Sequence, residues 1–148
     1  MKEKYWLEAQ SEYVKRLSRF AKVEIVELKD EPTMEDPTEA QRQMVLKKEA
    51  ERVKKAMEGF DVTSVLAIEA KEEDSLQFAA HMGRHWNAGK SICFIIGGSF
   101  GLADEIKAAA TEKFSLSRLT FPHRLARIVL LEQLFRAFKI CAGEDYHK

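Results

Sequence analysis

The sequence predicts an α/β domain with a mainly parallel sheet flanked by helices. Three observations predict it. Val62 to Ile68 and Ser91 to Ile96 are near-continuous apolar runs, each is preceded and followed by a helical pattern, and glycines punctuate the joins at Gly59, Gly89 and Gly97. Strands without polar alternation are buried on both faces, as in a parallel sheet covered by helices. Alternation of strands with helices produces that layered arrangement.

Residues 3 to 20 read as an amphipathic helix, with Trp6, Ala9, Tyr13, Leu17 and Phe20 at three- and four-residue steps. Val23 to Leu28, mostly apolar and β-branched, reads as a strand, followed by a loop broken at Pro32 and Pro37. Thr38 and Gln41 have capping-box spacing. The helix they open runs to about Glu58 and stops at Gly59, and its many Lys and Glu residues place it on the outside. Ser75 caps a helix that runs through Trp86. Gly97 to Gly101 forms a turn, and Asp104 to Phe114 reads as a short helix with acids in its first turn. Leu116 to Phe121 is a short extended segment ended by Pro122. His123 to Ile140 is a long helix, and Ala142 to Lys148 is a tail.

A chain of 148 residues without an obvious linker is expected to form one domain over residues 1–148. Its composition, 45% hydrophobic and 32% charged, is that of a globular protein rather than a disordered one. Formal net charge is zero, yet from Lys113 to Lys139 six basic residues stand against the single acid Glu132. A basic end on a neutral protein suits a polyanionic partner on one face, and it equally suits a solvated helix face. Cys93 and Cys141 make no CxxC or Cys/His cluster, so no metal is expected. MKEKYWLEAQ lacks the apolar core of a signal peptide, and no run approaches the roughly 20 apolar residues that span a bilayer. A cytoplasmic protein without membrane attachment is expected.

Three segments offer chemistry. Phe94-Ile95-Ile96-Gly97-Gly98-Ser99-Phe100-Gly101 ends a buried strand in glycines, which lets a ligand approach bare backbone at the carboxyl edge of the sheet. It matches neither the dinucleotide nor the Walker glycine pattern, which weakens a flavodoxin-like nucleotide module; a tight structural turn is the competing reading. Ser115 to His123 combines small hydroxyls with Leu side chains, as an adenine pocket or a buried connection would. The tail Gly143 to Lys148 holds Tyr146, His147 and Lys148, which suit stacking on a nucleotide or a frayed end. The apolar helix from Ile128 to Ile140 needs cover on more than one side, from a partner subunit or from a deep core position.

Taken together these segments resemble the ribosomal RNA large subunit methyltransferase H family, small SPOUT enzymes that methylate N3 of a pseudouridine in 23S rRNA. The matching stretches are KEKYW (Lys2 to Trp6), Glu12-Tyr13 with Lys15-Arg16-Leu17, Lys48-Glu49 with Glu51-Arg52, FIIGGSFGL, the long block SLSRLTFPHRLARIVLLEQLFRAFKI from Ser115 to Ile140, and the terminal YHK. The resemblance covers essentially the whole chain. It implies a SPOUT-type α/β knot with a deep trefoil near the C-terminus, which periodicity cannot show. It implies S-adenosyl-L-methionine bound at the knot by Ile68, Gly97, Leu116, Ser117, Arg118, Leu119, Thr120 and Phe121. It also implies a homodimer through the C-terminal helix, with Tyr146 and His147 building the substrate site at the subunit interface. The expected target is helix 69 of 23S rRNA in the assembled ribosome.

Methyl transfer from a sulfonium needs no metal, only a nucleophilic nitrogen held in line with the methyl group. The imide N3–H of the base is weakly acidic and must lose its proton. His147 is the candidate base or orienting group. Arg136 or Arg118 is the candidate for stabilising the imide anion or holding phosphate. Two departures from the family stand out. Relatives carry a further stretch ahead of KEKYW that forms a first β-strand, and the expectation is a sheet without it. Relatives also carry a glycine in the loop where this chain has Glu69-Ala70-Lys71-Glu72-Glu73. Two alternatives stay open: a SPOUT enzyme for another RNA, and a non-catalytic RNA- or ribosome-binding protein.

Overall fold

Three short parallel strands carry the fold of this protein, seen in a computed structural model that describes residues 3–28, 35–97 and 101–144. Strand β1 (Val62–Leu66) lies in the middle, with β2 (Ile92–Ile95) on one side and β3 (Glu112–Phe114) on the other. Both pairings are parallel, with Val62 opposite Ile92 and Ser64 opposite Glu112. Helices α1 (Lys4–Leu17), α3 (Ser75–Asn87) and α5 (His123–Cys141) form one cluster, and α2 (Glu39–Met57) and α4 (Asp104–Ala109) belong to another. Successive strand residues point to opposite faces. Ile92, Phe94 and Ile96 therefore pack into the core with Leu17, Phe78, Met82, Leu131 and Phe135, whereas Cys93 and Ile95 pack with Val65, Ala50, Met57 and Ile106. Helices thus flank the parallel sheet as expected.

An aromatic stack ties the first cluster together. Phe138 of α5 lies between Phe20, 5.1 Å away at an interplanar angle of 3°, and Trp86, 3.6 Å away at 8°. Rings from three segments are thereby locked in one layer, and each such pair is worth about 0.5–1.5 kcal/mol beyond its buried area. Leu130, Leu131, Leu134, Phe135 and Ala137 of α5 are buried in the same cluster. Much of the apolar character of α5 is therefore covered within the chain, by α1 and α3.

The helix starts follow their caps. Thr38 and Gln41 form the expected capping box, and Gly59, at φ +87°, ends the α2 region. For α3 the cap is Asp74, not Ser75: Asp74 accepts from the Gln77 amide, and the Gln77 side chain accepts from the Asp74 amide. Ser75 is already helical and donates to Gln133 of α5 at 2.9 Å.

Two further expectations are corrected. Val23 to Leu28 forms no strand. Val23 and Ile25 pack on the core while Glu24 and Val26 face out, so the residue alternation is that of a strand. Among the described residues, however, no strand pairs with the segment. The segment from Asp104 to Phe114 is also not one helix. α4 ends at Ala109, and residues 112–114 are β3. The Ala-rich stretch favours helix, but Thr63 and Thr111 override it. Each accepts the other's amide hydrogen on its hydroxyl, at 3.1 and 2.9 Å, which draws the chain down beside β1.

Candidate active site at the carboxyl edge of the sheet

The three segments expected to hold a ligand leave the sheet at the same edge. Ile68 lies in the turn just past β1, Gly97 lies two residues past β2, and residues 116–121 follow β3 by one bridging residue. Because the strands are adjacent and parallel, all three loops gather at their carboxyl ends, where open α/β sheets bind ligands. The loops are also linked by hydrogen bonding. The Ala67 amide donates to the Phe114 carbonyl at 2.8 Å, and Glu72 makes a parallel bridge with Ser115.

Local chemistry shapes each loop. Gly97 lies so near Gly101 that a Cβ on it would meet the Gly101 carbonyl carbon at 2.6 Å and its oxygen at 2.8 Å. Gly101 itself has φ +77°, a left-handed conformation that glycine adopts without penalty. In the third loop Ser115 donates to the Ser117 carbonyl at 3.1 Å, and the Ser117 hydroxyl accepts from the Leu119 amide at 3.0 Å. These bonds fix a bend that leaves Leu119 72% exposed, while Ile68 is 49% exposed. Arg118 and Thr120 are exposed, and Leu116, Ser117 and Phe121 are half-buried. Two exposed apolar side chains, Ile68 and Leu119, thus lie on loops that leave the same sheet edge as Gly97. The loop Glu69-Ala70-Lys71-Glu72-Glu73 is unstrained without a glycine: among described non-glycine residues, only Asp36 has a positive φ. Glu69 there pairs with Lys107 at 3.1 Å. An open trough of about 350 Å³ runs along α1 between Lys4, Glu8 and Lys15, and no residue of these loops lines it.

Other sequence candidates are placed differently. Tyr146 and His147 lie outside the described residues. Glu144, just before them, is held by Arg19 at 2.7 Å and by Lys139 at 2.8 Å, which keeps its carboxyl below the usual range. Arg136 lies thirteen residues into α5, roughly 20 Å of helix from its start, and pairs with Glu132 at 3.2 Å. The chain by itself therefore does not set Arg136 beside the loop of residues 116–121. The basic end is largely neutralised: Arg124 pairs with Glu3, Arg127 with Glu27 at 2.7 Å, and Lys139 with Glu144. Arg118 and Lys113 are exposed cations beside the loop and on β3.

One cluster was not singled out from the sequence. His81 and His85 of α3 converge on Glu112 of β3. Burial works against a charged His81 ring, but hydrogen bonds to Glu73 and Glu112 outweigh it and hold its pKa above the usual value. The paired spacing of His81 and His85 was visible, but Glu112 was read as helical and lay 27 residues beyond His85.

Residues 1–147 match the family described as "Predicted SPOUT methyltransferase". Over 149 aligned residues the chain is 45% identical to the ribosomal RNA large subunit methyltransferase H of Bacillus thuringiensis (strain Al Hakam), covering 100% of this chain and 94% of that protein. The protein of the same name from Bacillus cereus (strain B4264) gives the same figures. A Methanococcus vannielii relative is 44% identical over the same span.

Proposed function

The chain belongs to the ribosomal RNA large subunit methyltransferase H family of SPOUT methyltransferases, and from that premise we propose that it methylates N3 of a pseudouridine in helix 69 of 23S rRNA, within the assembled ribosome. The observation that carries the reading is the convergence of Ile68, Gly97 and residues 116–121 on one carboxyl edge of a parallel sheet. We further propose a single domain over residues 1–148, a trefoil knot formed around these loops, and a homodimer through α5. The half-buried Leu125 and Val129 of α5, which pack in neither core cluster, are apolar positions for such a contact.

S-adenosyl-L-methionine, when bound, supplies an electrophilic methyl group on a sulfonium. Around it, Gly97 allows close approach of backbone. Leu116, Leu119, Phe121 and Ile68 supply apolar contact for the adenine ring. The backbone of Ser117 to Thr120 presents amide and carbonyl groups to the base edge. Arg118, exposed at this loop, holds a phosphate or the developing imide anion in this proposal. His147 takes the N3 proton, and Tyr146 stacks on the target base. Arg136 is assigned to the site only through the partner subunit, because α5 carries it away from its own loop. A neutral protein whose basic C-terminal end is mostly paired internally, through Arg124, Arg127, Arg136 and Lys139, has little charge for naked RNA, which fits a substrate recognised by shape in a folded particle.

Calorimetric titration with S-adenosylmethionine and S-adenosylhomocysteine tests this reading. Saturable binding of both, weakened by Gly97→Ala, is the expected result. Binding of neither would leave a non-catalytic ribosome-binding protein.

A further inference from the structure

α3 places His81 and His85 one turn apart, and spacing of i and i+4 puts two side chains on the same helix face. That face meets Glu112, the first residue of β3. His81 Nε2 is 2.8 Å from one Glu112 oxygen, and His85 Nε2 is 3.2 Å from the other. One ligand atom from each residue lies within 4.8 Å of the other two. The side chains are held by packing, with 18%, 16% and 20% of their surfaces exposed.

We propose that His81, His85 and Glu112 bind one divalent transition-metal ion of the zinc class, which clamps α3 to β3. Two imidazoles and one carboxylate are a known three-residue zinc donor set, with a fourth position left for water. Zinc bonds of 2.0–2.1 Å at tetrahedral angles separate ligand atoms by roughly 3.3 Å. Because the two nitrogens face different Glu112 oxygens, the contact to whichever oxygen ligates opens by about half an ångström or less to reach that spacing, and the other imidazole joins the same ion from within 4.8 Å. A fourth residue completes the arrangement: Glu73 stands 3.0 Å from His81 Nδ1. A carboxylate on the far ring nitrogen of a metal-ligating histidine fixes its tautomer and turns Nε2 toward the ion. Metal binding replaces the Nε2 contacts to Glu112 with bonds to the ion. The clamp sits at the amino end of β3, away from the loop of residues 116–121 that leaves its carboxyl end. Its role is to hold the root of that loop, not to take part in methyl transfer.

The test uses tag-free, full-length protein stripped with chelator and titrated near neutral pH with Zn²⁺ by calorimetry and with Co²⁺ by visible absorption. The expected result is one ion per chain and visible cobalt bands of four- or five-coordinate intensity. His85→Gln and Glu112→Gln each weaken binding roughly tenfold or more, Glu73→Gln weakens it roughly tenfold, and His123→Gln leaves it unchanged. Circular dichroism of the metal-free variants checks that they are folded. If a variant does not fold, shifted imidazole N–H resonances of the wild-type cobalt protein decide: two histidines support the site and none overturns it. Absence of binding, or binding indifferent to His85→Gln and Glu112→Gln, overturns the proposal and leaves a histidine–carboxylate network.

Discussion

Gly97 and Gly101 approach so closely that no side chain fits between them: a Cβ on Gly97 would stand 2.6 Å from the Gly101 carbonyl carbon. The contact is with backbone, so it cannot be relieved by turning a flexible side chain. Gly97→Ala is therefore expected to open the loop and weaken S-adenosylhomocysteine binding by about tenfold or more, a loss of about 1.4 kcal/mol or more. Calorimetry measures it, with thermal melting as the check that the fold survives.

Thr111 and Thr63 hold β3 beside β1 by reciprocal hydroxyl-to-amide bonds, and their hydroxyls are 3.2 Å apart. Thr111→Val keeps the side-chain shape and leaves the Thr63 amide without its acceptor. A partly buried donor left unmade costs about 1–3 kcal/mol. Urea unfolding of the variant is expected to show that loss, together with weaker cofactor binding, because the loop of residues 116–121 hangs from β3.

Glu27 pairs with Arg127 of α5, and the Arg127 guanidinium holds its carboxyl down from 4.5 to about 2. A carboxyl with a depressed folded pKa stabilises the fold above its unfolded value, and the contribution is lost as pH falls through the folded one. The window is therefore from about 4.5 down to about 2. The Glu27 side chain is 48% exposed, so solvent screening limits the effect to under about 1 kcal/mol. Glu27→Gln should flatten the fall in stability across that window, as read by urea midpoints at several pH values.

His147 is assigned the N3 proton. A positioned general base contributes about 10²–10⁴-fold, so His147→Ala should lower the single-turnover methylation rate by a factor in that range and remove its rise near neutral pH. A rate unchanged across pH would take the base role away from His147.

Much of the layered fold was legible in the residues themselves. The apolar runs around Val65 and Ile95 marked β1, which is buried, and β2, which is mostly half-buried, and the Thr38–Gln41 pair marked the start of α2. Two elements were not legible, for opposite reasons. Residues 104–114 carry helix-forming alanines, and only a distant threonine, Thr63, makes the last three of them a strand. Val23 to Leu28 carries the composition of a strand, but pairing needs a neighbour that no local pattern specifies. The site divided in the same way. Gly97 and the run from Leu116 to Phe121 were singled out as candidates by glycine punctuation and family resemblance, whereas their meeting at one sheet edge depends on the parallel register. The His81, His85 and Glu112 cluster escaped notice because it crosses from α3 to a strand that reads as helix.

The central claim is methyl transfer to the ribosome, and one assay tests it most directly. Purified protein, labelled S-adenosylmethionine and assembled ribosomes lacking the modification are incubated, and the rRNA is digested and mapped by mass. The account predicts one methyl group per ribosome, on N3 of a pseudouridine in helix 69 of 23S rRNA, and loss of incorporation in Gly97→Ala. No incorporation by folded, cofactor-binding protein, or a methyl group mapped to another nucleotide, would contradict it.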